Sequence, residues 1–145
     1  MNLTLVFPMA AMVLLTFVVA LWMLHQRLQA VRGGHIKMDY FKLVRGEDPP
    51  PRSMLQADNH FRNLFEVPVL FYAGCLVAMM IPLFGTLVQI WAWLFVAARI
   101  LHALMHLGSN RILYRSRAYF LSWFAVLGLW GLIVIRVAGM MLSTP

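Results

Sequence analysis

Four uninterrupted apolar stretches constrain this chain more than any other feature. Residues 3–24 contain no charged or histidine side chain, and 64–84 contain only Glu66. Residues 87–107 contain Arg99, His102 and His106, and 118–140 contain only Arg136. At a rise of about 1.5 Å per residue, each stretch is long enough to cross a hydrocarbon core about 30 Å thick. Hydrocarbon offers the backbone no hydrogen-bond partner, so a crossing segment coils into a helix and satisfies itself. The expected fold is an all-α integral membrane protein, a four-transmembrane-helix antiparallel bundle. It forms one domain over residues 1–145, with helices at about 3–24, 53–84, 87–107 and 116–140 and a cytoplasmic loop at about 25–52. A soluble four-helix bundle is the alternative, but its surface would need far more charge than 12% of residues, set against 62% hydrophobic.

Charge placement sets the topology. The first stretch is longer than the core of a signal peptide and has no basic residue before it, so it is read as a retained helix. Arg27, Arg32, Lys37, Lys42, Arg45, Arg52 and Arg62 lie between the first two stretches, and Arg111, Arg115 and Arg117 between the last two. The link around 82–86 and the tail after Met140 carry no basic residue. Both basic loops are therefore cytoplasmic and both chain ends lie on the other side. The net charge of +7 belongs to this topology and to anionic headgroups. With no zinc-finger spacing or recognition helix, no nucleic-acid partner is expected. Cys75 is the single cysteine, which excludes a disulfide framework within the chain and marks it as inert packing.

The first loop is the least regular segment. Gly33-Gly34 break the first helix, a short mixed stretch runs over 36–44, and Tyr40 and Phe41 are placed at the membrane interface beside lysines. Gly46 and Pro49-Pro50-Pro51 exclude an ordinary helix there, and Pro68 is expected to kink the second helix.

Helical spacing gathers the polar residues into stripes. Asn59, Arg62, Asn63 and Glu66 recur at intervals of three and four, opposite Phe61, Leu64 and Phe65. Arg99, His102 and His106 share a side of the third helix, read as facing away from Val96, Leu101 and Leu104. Arg115 and Tyr119 lie one turn apart at the start of the fourth. Intramembrane ionisable groups face the bundle interior and one another, so a buried Glu66–Arg99 pair is expected. Arg62, Arg99 and Arg115 outnumber Glu66, which suits a pocket for carboxylates, thiolates or phosphates. His102 and His106 form an HxxxH pair, but zinc needs a third protein ligand, and His25, His35 and His60 are too loosely placed to supply one. No metal site is expected.

Arg62-Asn63-x-x-Glu66-x-Pro68, then Arg99-x-x-His102, then Arg115, Ser116 and Tyr119 resemble the MAPEG family, the membrane-associated proteins in eicosanoid and glutathione metabolism. The likeness covers essentially the whole chain. It implies a homotrimer that binds glutathione as cosubstrate between subunits near the cytoplasmic helix ends, with a lipophilic small molecule or lipid entering from the membrane. By that resemblance Asn63 and Glu66 contact the tripeptide, Arg62 accompanies them, and Arg99, His102 and His106 occupy third-helix polar positions. Arg115 stabilises the glutathione thiolate, with Ser116 and Tyr119 beside it. Bacterial members of the family place such a chain in a bacterial inner membrane. Two positions depart from the family's pattern. Asn59 stands where an arginine is common, removing one grip on a glutathione carboxylate, and His106 stands where a tyrosine is common, altering the ring in the same pocket.

Two functions follow. One is a glutathione-dependent membrane transferase or peroxidase acting on a lipophilic electrophile, with Arg115 and Tyr119 as catalytic groups and no protein nucleophile. The other is a non-catalytic trimeric membrane protein that binds a lipid or anionic ligand. Transport fits less well, since there is no inverted repeat and no pair of broken helices.

Overall fold

The computed structural model describes residues 3–43, 49–83, 85–108 and 111–143. Val44, Arg45, Gly46 and Phe84, which entered the sequence reading, lie outside the described residues. A 3₁₀ turn, Leu3–Leu5, leads into α1 (Val6–Arg32), followed by a short α2 (Tyr40–Leu43). Then come α3 (Arg52–Asn63), α4 (Val67–Met80), α5 (Thr86–Leu107) and α6 (Ile112–Leu142), with no strand among the described residues. Four helical runs are long and apolar enough to cross a membrane: Leu3–Arg32, Arg52–Met80, Thr86–Leu107 and Ile112–Leu142. This is a multi-pass integral membrane protein.

α1 continues eight residues past Leu24, to Arg32, because the segment HQRLQAVR retains good helix formers and packs onto α3. Arg27 Nε donates to Asp58 Oδ1 at 2.9 Å and the guanidinium lies 5.4 Å from the centre of the Phe41 ring. α1 stops at Gly33, and the next residue, Gly34, has φ +70°, a conformation that suits glycine. Tyr40 and Phe41 are half-buried against a small cluster of Ala30, Ile36 and Met54, so the loop folds back onto the helices and these rings serve as packing. α3 begins directly after Pro51, whose extended backbone (φ −55°, ψ 144°) ends the proline run.

The second span is broken where a kink was expected. Pro68 has no N–H to offer the carbonyl of Leu64, and its ring crowds that carbonyl. Residues 64–66 close instead with tighter bonds, Leu64 N–H to Phe61 O, Phe65 N–H to Arg62 O and Glu66 N–H to Asn63 O, and α4 restarts at Val67.

Consecutive spans run antiparallel, which brings the starts of α1 and α5 and the end of α6 to one end of the bundle. Gln89 at the start of α5 donates to the hydroxyl of Thr4. Near the end of α6, Arg136 Nε donates to Pro82 O in the α4–α5 turn at 3.0 Å. The one arginine within residues 118–140 thus donates to a carbonyl at that turn. Every other described basic residue sits toward the opposite end of the bundle. The core stacks Phe71 on Phe95, with ring centres 4.4 Å apart, among Met12, Cys75, Leu129 and Ile133. α5 and α6 form the most extensive pairing, and Gly128 lets the Trp91 indole lie directly on α6, since a Cβ there would fall 2.6 Å from ring carbons. Apolar side chains such as Phe17, Leu21, Leu104, Phe120, Phe124 and Ile135 point outward. Polar groups are drawn inward, the arrangement hydrocarbon selects.

Candidate functional site

The break between α3 and α4 places two polar side chains side by side. Asn63 ends α3 and Glu66 immediately precedes α4, and Asn63 Nδ2 donates to Glu66 Oε2 at 2.8 Å. From α5, Arg99 Nη2 donates to Asn63 Oδ1 at 2.6 Å and to the Asn63 carbonyl at 3.2 Å. That carbonyl belongs to the last turn of α3, where a cation is favoured, and it also accepts the long bond from Glu66 N–H. The expected direct Glu66–Arg99 pair is thereby corrected. Asn63 stands between the two charges, Arg99 is fully buried, and Glu66 is exposed. The break between α3 and α4 leaves Glu66 exposed, where its carboxylate needs no buried counter-ion.

Around this junction lies a partly open cavity of ≈ 450 Å³. Asn59, Arg62 and Asn63 form one wall, Glu66 its edge, His102 and His106 a second wall, and Arg115, Ser116, Tyr119 and Phe120 the third. Of the residues singled out from sequence, Arg99 alone does not line it and acts from beneath through Asn63. The stripes meet because the end of α3, the C-terminal half of α5 and the start of α6 converge at the basic end of the bundle. On α5 the face is composed differently from the reading. Val96 is buried on the same side as Arg99, three residues on, whereas Leu101 and Leu104 do point outward.

A second group was missed. His60 on α3 is fully buried and lies against both α5 histidines, with ring centres 5.4 Å from His102 and 4.9 Å from His106. His102 and His106 are themselves 5.6 Å apart, and one ring nitrogen from each of the three lies within 4.8 Å of the others. Sequence spacing leaves His60 too loosely placed to join them, but the packing of α3 on α5 brings it against both. A signal was present, since His60 follows Met54 and Ala57 along the buried face of α3, at three-residue spacing. Two backbone carbonyls hold the group. His102 Nδ1 lies 3.1 Å from the Arg115 carbonyl, and because a carbonyl only accepts, that nitrogen is the donor. Gln56 on α3 donates to the carbonyl of His106.

Compared with known proteins, the chain matches the model of the MAPEG family over residues 5–135. No curated protein and no solved structure matches it.

Proposed function

The chain belongs to the MAPEG family, and from that premise we propose that it is a glutathione-dependent transferase or peroxidase for lipophilic electrophiles, working as a homotrimer with its basic end in the cytoplasm. The observation that carries this reading is the cavity, in which Arg62 and Arg115 face a single carboxylate, Glu66. A surplus of guanidinium suits a small polyanion. Glu66 and the Asn63 amide, tied to each other, offer an acceptor and further polar contacts for the ammonium and amide groups of a peptide.

In this reading Arg115 holds the thiol of glutathione as thiolate, since a nearby guanidinium favours the charged form. A guanidinium already fixed in place needs no reorganisation as the thiolate charge develops. The sulfur attacks an electrophilic carbon of the acceptor. A C–S bond forms, and the electron pair leaves with the departing group or moves into a conjugated system that water then protonates. With a hydroperoxide as acceptor, thiolate attack cleaves the O–O bond and releases an alcohol. A second glutathione then attacks the sulfur of the resulting sulfenic acid, breaking its S–O bond and giving the disulfide and water. Tyr119 donates a hydrogen bond to the sulfur or to the leaving oxygen. Cys75, buried in the core, takes no part.

Calorimetric titration of glutathione into the protein in nanodiscs tests this reading. Saturable binding is expected, weakened at least about tenfold by Arg62→Ala through loss of a charge-assisted contact. Absence of binding, with lipid or another anion bound instead, would favour the non-catalytic alternative.

A further inference from the structure

We propose that His60, His102 and His106 form a three-imidazole site for a transition-metal ion of the zinc and copper class. Three features support it together. The histidines come from two helices and converge, with one ligand nitrogen from each lying within 4.8 Å of the others. All three are buried: His60 fully, His102 to 3% exposure and His106 to 7%. Both ring nitrogens of His60, Nε2 of His102 and Nδ1 of His106 have no hydrogen-bond partner among the described residues. Buried polar atoms are normally hydrogen-bonded, so a cluster of unpartnered ones in one place points to a ligand.

The tautomer of His102 fits metal binding. Its Nδ1–H is committed to the Arg115 carbonyl, which leaves the Nε2 lone pair for the ion. A backbone carbonyl behind a ligating imidazole is the usual support for such a ligand, fixing ring orientation and raising its basicity. Zn–N bonds of about 2.0–2.1 Å require the nitrogens to draw closer than 4.8 Å, a change that side-chain rotation can supply. Three neutral imidazoles leave a divalent ion with its full charge beside Arg99 and Arg115. The fourth coordination position would therefore take an anion or hydroxide, and His102 and His106 also line the cavity from which one can arrive. Three histidines with one open position is a catalytic rather than a closed structural arrangement. The proposal does not depend on glutathione binding and is tested without any thiol present.

The test uses the full chain carrying an affinity tag free of histidine, purified in detergent, stripped with chelator and reloaded with Zn²⁺ alone. Metal content per chain and the shift in thermal unfolding are measured, and Co²⁺ is titrated in parallel to read its d–d absorption. The wild type should retain one ion per chain, unfold at higher temperature with Zn²⁺, and give intense bands of a low-coordinate Co²⁺ site. His60→Asn and His106→Asn should each weaken binding more than about 100-fold, beyond what loss of an outer partner causes. His25→Asn and His35→Asn should leave it unchanged. Should the site variants fail to fold, the wild type alone decides. No retained zinc, no thermal shift and no cobalt bands would overturn the proposal, as would full zinc binding by a folded His60→Asn.

Discussion

Asn63 accepts hydrogen bonds from the Arg99 guanidinium on its side chain and on its carbonyl, and gives one to Glu66. A neutral amide thus relays between a buried cation and an exposed carboxylate. This spares Glu66 for the cavity and holds Arg99 in place without bringing two charges together out of water. The arrangement predicts which residues are energetically coupled. Asn63→Ala and Arg99→Met should show an interaction of about 0.5–3 kcal/mol in a double-mutant cycle, read by thermal unfolding in detergent. Glu66→Gln and Arg99→Met, which share Asn63 as a partner but do not touch, should couple more weakly than the Asn63–Arg99 pair in the same measurement. Strong Glu66–Arg99 coupling with an additive Asn63–Arg99 pair would contradict the relay.

At the scale of elements, the sequence was most legible where one helix speaks for itself. Asn59, Arg62, Asn63 and Glu66 share a face by spacing alone, and the structure brings Arg62, Asn63 and Glu66 to the same cavity as Arg115 and Tyr119. The length and apolarity of the four runs were equally plain, because hydrocarbon leaves the backbone only one way to satisfy itself. What spacing could not supply was the relation between helices. His60 lies off the polar stripe and became part of a group only when the packing of α3 on α5 carried it against His102 and His106. The Asn63 relay was hidden for the same reason, since charge complementarity favours Glu66 with Arg99 and says nothing of an amide between them. Pro68 was visible, but whether it bends a helix or breaks it depends on whether the freed carbonyls find donors. Here residues 64–66 close with tighter bonds and α4 restarts at Val67, with Arg99 donating to the Asn63 carbonyl at the break.

At the scale of the whole molecule, the outer surface is apolar along much of every span, and the cavity is partly open at the basic end of the chain's bundle. Part of that surface faces lipid, and the family reading assigns the rest to neighbouring subunits. Native mass spectrometry from mild detergent should show a trimer as the main species, while a monomer at every detergent concentration would refute that assembly. The central claim is chemical, however, and concerns the ionisation of a bound thiol beside Arg115. Its most direct measurement is the ultraviolet thiolate absorbance of bound glutathione as a function of pH, in the wild type, Arg115→Lys and Arg115→Ala. In the wild type the bound thiol should titrate about 1–3 pH units below free glutathione, as a neighbouring cation dictates. Arg115→Lys should recover part of this, lacking the planar fork, and Arg115→Ala should return the thiol to its free behaviour. Glutathione bound with the same titration in all three proteins would contradict the account.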